Sequence, residues 1–362
     1  MKTRLFLAVL AIGTLIVPAG RGAAQDFPYQ VFERYVEGLA QQIGMPGLSA
    51  VIIRNNSVEW RRGYGYADAE NRIPATTDTP FAIGGVTQAI TGVLVGVCVD
   101  RFQLRVDQGI RSFVPTFPQD ASIRHVLAHA STGRFVYDPA AFSALTTVVE
   151  RCSGQSFRAA TAKEIIERLT MTRSAPGLDL RDEAAGVRAG FDASDARDYA
   201  SVIEKVALPY RIRNGQYSRS EHPPYGLDAA GGLVASAEDL AKFEGSLDDS
   251  PRQIDNIPIA GSTLRQMWTQ QQVEIINTQG QLQVVSLPTG LGWFVQNASG
   301  VPLVWTFGHI PDAGSALIVK MPTKFLTLIM LSNSGGLAAG NNFEQGDVTT
   351  SPFVKVFLRL FI

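Results

Sequence analysis

Few residues in this chain are spaced for metal or thiol chemistry. His125 and His129 stand four apart, which would put two imidazoles on one helix face, as in many zinc sites. No glutamate lies between them in the His-Glu-x-x-His sense, and the chain has four histidines in all. The pair therefore reads as structural, and no metal or cofactor is expected. Nucleophilic chemistry is also hard to place. Neither Ser-x-x-Lys nor Gly-x-Ser-x-Gly occurs, the two patterns that set a serine beside its base or on a strained strand-to-helix turn. Cys98 and Cys152 are too few for a disulfide scaffold or a cysteine-based zinc site. In an oxidising compartment they could bridge; otherwise they are two buried thiols on separate helices. Both readings stay open.

The elements that would position a site are legible as strands at both ends with helices between. Phe32, Val36, Leu39, Ala40 and Ile43 fall at helical spacing, closed by Gly44 and Pro46. Leu48–Ile53 and Val58–Trp60 read as strands around an Asn55-Asn56 turn. Residues 86–99 are apolar nearly all round, as in a helix buried on most faces. Further helices are expected at 123–130, 140–152, 159–169 and from Ser236, where Asp239 completes a capping-box pattern. Residues 179–225 read as irregular. Strands are expected at 283–286, 292–296, 301–306, 315–321 and 325–331, then a last amphipathic helix opened by Ser351-Pro352. Strands and helices do not alternate, which excludes a doubly wound parallel sheet.

Charge narrows the function classes. Lys and Arg total 32 against 33 Asp and Glu, without the basic excess of a nucleic-acid binder, so no nucleic-acid partner is expected. The N-terminus carries Lys2 and Arg4, an apolar run from Leu5 to Val17, and small residues at Gly22-Ala23-Ala24. That is the pattern of a secretory signal peptide over 1–24, shorter than a membrane span. The expectation is a mature chain from about Gln25, periplasmic or secreted, with no stable membrane span after cleavage.

Several segments, in order, resemble the serine β-lactamase and penicillin-binding-protein superfamily, in its class C and esterase-like branch. They include Met45-Pro46-Gly47-Leu48-Ser49, Gly63-Tyr64-Gly65-Tyr66-Ala67-Asp68, Ile123-Arg124-His125-Val126-Leu127-Ala128-His129, Ala230-Gly231-Gly232-Leu233-Val234-Ala235-Ser236 and Phe307-Gly308-His309. The resemblance implies an α+β, β-lactamase/transpeptidase-like fold: an antiparallel sheet built from both chain ends and flanked by helices, plus an all-helical lobe. The expected organisation is a single unit over 25–362, with an α/β lobe at 25–84 and 255–362 and a helical lobe at 85–254.

Three family motifs carry the chemistry, and all three are altered. Where the resemblance places Ser-x-x-Lys, the chain reads Gly85-Val86-Thr87-Gln88. Glycine has no side chain, and an amide cannot take a proton near neutral pH. Thr87, the nearest hydroxyl, lies about 200° round the helix from the nucleophile position and should face away from the cleft. Tyr-x-Asn becomes Tyr137-Asp138-Pro139, keeping the family's acid/base tyrosine but losing the substrate-binding amide. Lys/His-x-Gly becomes His309-Ile310-Pro311, with a proline where the small glycine lets substrate lie along the strand.

The residual candidates are thus Tyr137 and His309, with Gly85 and Gln88 at the nucleophile and base positions. Gln88 is expected to hydrogen-bond across the space left by the serine–lysine pair. Without Lys at 88 the cleft has no fixed cation to attract a carboxylate. The first expectation is a pseudoenzyme of this fold, binding a small acyl or peptide-like ligand or a partner protein at the degenerate cleft. The alternative is an esterase, amidase or peptidase using Tyr137 and His309 without a serine nucleophile. A third is a structural subunit with a vestigial cleft.

Overall fold

In the computed structural model, residues 22–101, 103–224, 226–247, 259–276 and 281–362 are described. The segment expected to be a signal peptide lies outside them up to residue 21, and Gly22-Ala23-Ala24 form the start of the first helix. Eleven α-helices are described: α1 (Gly22–Ile43), α2 (Thr87–Asp100), α3 (Ile123–Leu127), α4 (Pro139–Phe142), α5 (Leu145–Ser153), α6 (Phe157–Thr161), α7 (Glu183–Arg188), α8 (Ala193–Ile203), α9 (Ala237–Ser246), α10 (Gly261–Met267) and α11 (Pro352–Phe361). A six-residue π-helical stretch, Ala162–Glu167, follows α6 directly.

The main sheet takes β1 (Gly47–Arg54), β2 (Ser57–Asp68) and β3 (Ile73–Pro74) from the start of the chain. Three two-stranded sheets interrupt the count: β4 (Phe81–Ala82) with β7 (Val234–Ala235), β5 (Tyr210–Arg213) with β6 (Gln216–Arg219), and β8 (Gln272–Ile276) with β9 (Leu282–Ser286). The end of the chain supplies β10 (Phe294–Ala298), β11 (Val301–Ile310), β12 (Gly314–Met321) and β13 (Leu326–Ser332). The seven-stranded order is β10-β11-β12-β13-β1-β2-β3, antiparallel throughout. Its seam is β1 against β13, with Leu48 opposite Ser332 and Val51 opposite Ile329.

Both faces of this sheet are covered, so β12 and β13 are buried at every position and their sequences read as continuous apolar runs. Alternate residues serve two cores. Leu48, Ala50, Ile52, Leu317 and Leu328 pack with Phe32 and Val36 of α1 and Phe357 of α11. Val51, Ile53, Ala316, Ile318 and Ile329 face the core around α2 and α9. From Thr87 to Cys98, α2 has no exposed residue, as its all-round apolar sequence requires. Cys98 and Cys152 form a disulfide between α2 and α5, with Cα atoms 6.1 Å apart.

Several expectations need correction. Residues 179–225 are not irregular: they hold α7, α8 and the β5–β6 hairpin, and α8 opens on Asp192, whose carboxylate accepts from the Ser194 and Asp195 amides. The helix expected over 140–152 breaks at Ser143-Ala144 into α4 and α5. The helix at 159–169 gives way to the π-helical stretch. The helix at 123–130 stops at Leu127, because His129 takes a positive φ of 52°. The strand at 283–286 forms, but only in the β8–β9 hairpin, outside the main sheet. Ser236 caps α9, yet Asp239 does not close the box; its carboxylate instead accepts from the Arg173 amide and the Ser174 hydroxyl and pairs with Lys242. The true capping box is at α3, between Ser122 and His125. Among the described residues no helix is long and apolar enough to cross a membrane.

Candidate functional site

The start of α2 meets the edge of β11 through close backbone contact. At Gly308 a Cβ would come within 1.9 Å of the Ile83 carbonyl, so only glycine lets the strand lie this near the turn before α2. That contact brings Gly84 and Gly85 beside Phe307 and His309. Together with Tyr137, Pro139, Ala140, Ser143, Asp228, Ala230, Gly231, Pro311 and Glu344 they line a cavity of about 380 Å³. Three of the four sequence candidates, Gly85, Tyr137 and His309, open on it. Cavities of about 530 and 1000 Å³ lie elsewhere, beside Tyr199 and His222, and contain none of the motif residues.

Gly85 is tightly enclosed. A Cβ there would sit 2.7 Å from the Phe307 carbonyl oxygen and 2.8 Å from the Tyr137 hydroxyl. Real carbon–oxygen contacts are not this short, so any side chain at 85 needs β11 or the tyrosine to move. Thr87 does face away: its buried hydroxyl donates to the Gly84 carbonyl at 2.7 Å and accepts from the Leu233 amide at 3.4 Å.

Gln88 lies one turn below, 3% exposed, and does not reach the cavity surface. Its amide bridges two rings. Nε2 donates to the Tyr137 hydroxyl at 3.3 Å, and Oε1 faces His129 Nε2 at 3.0 Å. The other imidazole nitrogen, Nδ1, accepts from the Asp138 amide at 3.2 Å. That bond fixes the tautomer: the proton is on Nε2 and is donated to Gln88. Burial drives the His129 pKa down to about 4, so the ring is neutral at pH 7. The relay reads His129 to Gln88 to Tyr137. The phenol accepts at its oxygen and keeps its own proton, because burial raises the Tyr137 pKa. At neutral pH Tyr137 is therefore a donor aimed at the cavity.

Local sequence explains the loop that holds this ring. The Asp138 carboxylate accepts from the Ala141 amide and caps α4, while Pro139 fills the first helical position. The proline in the asparagine position thus starts a helix, and it still lines the cavity. His129 stacks on Phe142 with centroids 5.0 Å apart, and its carbonyl accepts from the Val136 amide. It is a positioning residue for Tyr137, a role that sequence reasoning missed. His125 instead takes part in the α3 capping box, so the two histidines serve different partners. His309 is exposed near the end of β11, and Pro311 follows in the turn to β12.

Two cavity carboxylates were also missed. Asp228 accepts from the Ala230 and Gly231 amides at 2.8 and 3.0 Å and from the Ser143 hydroxyl at 2.9 Å. An aspartate opening a turn before Ala229-Ala230-Gly231 was a readable signal. Glu344 lies in a 3₁₀ turn at Phe343–Gln345, and its charge reaches Tyr137. No sequence feature marks it.

Comparison with known proteins agrees with this architecture. Of solved structures, an octameric penicillin-binding protein homologue from Pyrococcus abyssi superposes with a TM-score of 0.68 at 23% identity, over 85% of this chain and 74% of that one. A penicillin binding protein from Bacillus halodurans gives 0.66 at 16% identity, over 91% and 99%. Curated relatives match over shorter stretches: the mouse mitochondrial serine beta-lactamase-like protein LACTB is 28% identical over 102 residues, and the Staphylococcus aureus protein flp is 27% identical over 109. Each stretch covers 28% of this chain but only 18% and 22% of those relatives. The Beta-lactamase family model matches residues 32–346, and the chain belongs to that family.

Proposed function

We propose that this protein is an exported, non-acylating member of the family that binds a small acyl or peptide-like ligand in the cleft between α2 and β11. The observation that carries this reading is the environment of Gly85. The nucleophile position has no side chain, and its surroundings leave no room for one without movement of Phe307 or Tyr137. The base position is occupied by an amide already committed to Tyr137 and His129. The cavity nevertheless stays open at about 380 Å³, within the range of small-ligand sites. Export rests on the charged and apolar N-terminal pattern. The test is incubation of the mature chain with a fluorescent penicillin and an activated ester, followed by intact-mass measurement. An unchanged mass is expected; a stoichiometric adduct overturns the reading.

A second reading is hydrolysis without a covalent step, favoured by Tyr137 and His309 lining the same cavity. In it the protonated phenol donates to the leaving group or carbonyl, and His309 takes a proton from water. Turnover on an ester and amide panel, lost in Tyr137→Phe, supports it. Turnover unaffected by that substitution counts against it.

A further inference from the structure

Besides Tyr137, the ionisable groups lining the cleft are Asp228, Glu344 and His309, and no lysine or arginine lines it among the described residues. The carboxylate of Asp228 is held rigidly by two amides and a hydroxyl, all neutral donors, so its charge is fixed in place without being cancelled. Oδ2 takes one bond, from Ser143, and has capacity for another. Glu344 makes no ion pair among the described residues. The half-buried Tyr137 hydroxyl lines the same cavity; it accepts from Gln88 and donates to no protein acceptor among the described hydrogen bonds. Its proton is thus available to an acceptor that a ligand brings into the cavity. The Tyr137 ring on the cavity wall is backed by the buried Phe307 ring, with centroids 5.0 Å apart. An anion entering here meets two negative charges and no fixed positive one. An ammonium meets two carboxylate acceptors.

We propose that the cleft takes a ligand with a free primary ammonium group on the carbon next to a carbonyl, as at an unblocked peptide N-terminus or an amino-acid amide. The ammonium pairs with Asp228 and Glu344, and the carbonyl oxygen accepts from Tyr137. This rests on the reading that the cleft binds a peptide-like ligand, and it names the end of the ligand that is recognised. Nothing covalent is involved.

The test is calorimetric titration of the mature chain at low ionic strength with three probes that share one side chain, in both enantiomers. Phenylalaninamide is cationic, N-acetylphenylalaninamide neutral and N-acetylphenylalanine anionic. Phenylalaninamide is expected to bind saturably and at least about tenfold more tightly than either acetylated probe, with Glu344→Gln weakening it by about tenfold. Tyr137→Phe is expected to weaken the amide probes. Asp228→Asn is the companion variant, and because Glu344 is exposed, Glu344→Gln stays informative if the Asp228 turn misfolds. Equal or tighter binding of N-acetylphenylalanine overturns the ammonium inference while leaving ligand binding at the cleft intact. Phenylalaninamide binding untouched by Glu344→Gln and Asp228→Asn also overturns it. No saturable binding of any probe overturns both readings.

Discussion

The hydroxyl of Tyr137 stands 2.8 Å from the point where a side chain at Gly85 would begin. The surviving motif residue thus occupies space next to the missing one, so the loss at 85 and the placement of Tyr137 are physically coupled. Restoring the acylating pair with Gly85→Ser and Gln88→Lys should therefore not simply rebuild a working nucleophile. The serine Cβ meets the Phe307 carbonyl as well as the phenol, and the lysine amine loses the acceptor and donor pattern of the amide. We expect a loss of about 1–3 kcal/mol in urea unfolding, typical of overpacking, and no penicillin adduct by intact mass. An adduct in the double variant would show that β11 yields at Phe307.

The Gln88 amide is the only link between Tyr137 and His129 among the described hydrogen bonds. Gln88→Leu keeps most of the volume and removes both bonds. It should cost about 1–3 kcal/mol, because the imidazole N–H is left buried without a partner. Denaturant unfolding checks the magnitude. Weaker ligand binding by a variant that remains folded would show that the amide positions Tyr137.

Acid should destabilise the fold through His129. Its pKa is lowered by burial to about 4, against about 6.5 in an unfolded chain. Below pH 6.5 the unfolded state binds the proton and the folded state does not. The stabilisation is fully present above pH 6.5 and is lost as pH falls toward 4, up to an order of 3 kcal/mol. His222, also lowered to about 4 by burial, acts in the same window and the same direction. A His129→Gln variant should show a flatter stability profile between pH 4 and 6.5 by chemical denaturation.

The bridge between Cys98 and Cys152 closes a loop with a sequence separation of 54. Cys98→Ala with Cys152→Ala should lower unfolding free energy by about 2–4 kcal/mol, from the greater freedom of the unfolded chain. Reductant should mimic this in the parent protein and leave the double variant unchanged.

Much of the sheet was legible because β1, β12 and β13 are buried on both faces, and continuous apolar runs such as Leu317–Val319 advertise that. The region 179–225 was not, because its elements are short and show only narrow buried faces. In α8 the face is Ala196, Tyr199 and Val202, spaced by three but set among charges. Motif positions located Gly85, Gln88, Tyr137 and His309. They could not reveal Glu344 or the role of His129, since those depend on segments far apart in sequence meeting at one cavity wall. The π-helical turn at Ala162–Glu167 has no feature in its sequence that announces it.

The seam between β1 and β13 also sets the order of events in folding. The Ser332 hydroxyl donates to the carbonyl of Gly47, 285 residues earlier. A chain emerging from its N-terminus has β1 and β2 as a hairpin but no partner for the other edge of β1 until nearly all the rest has followed. Contacts so distant are slow to form and leave an apolar strand edge unpaired meanwhile. During synthesis, that edge of β1 should stay unpaired until the last strands arrive.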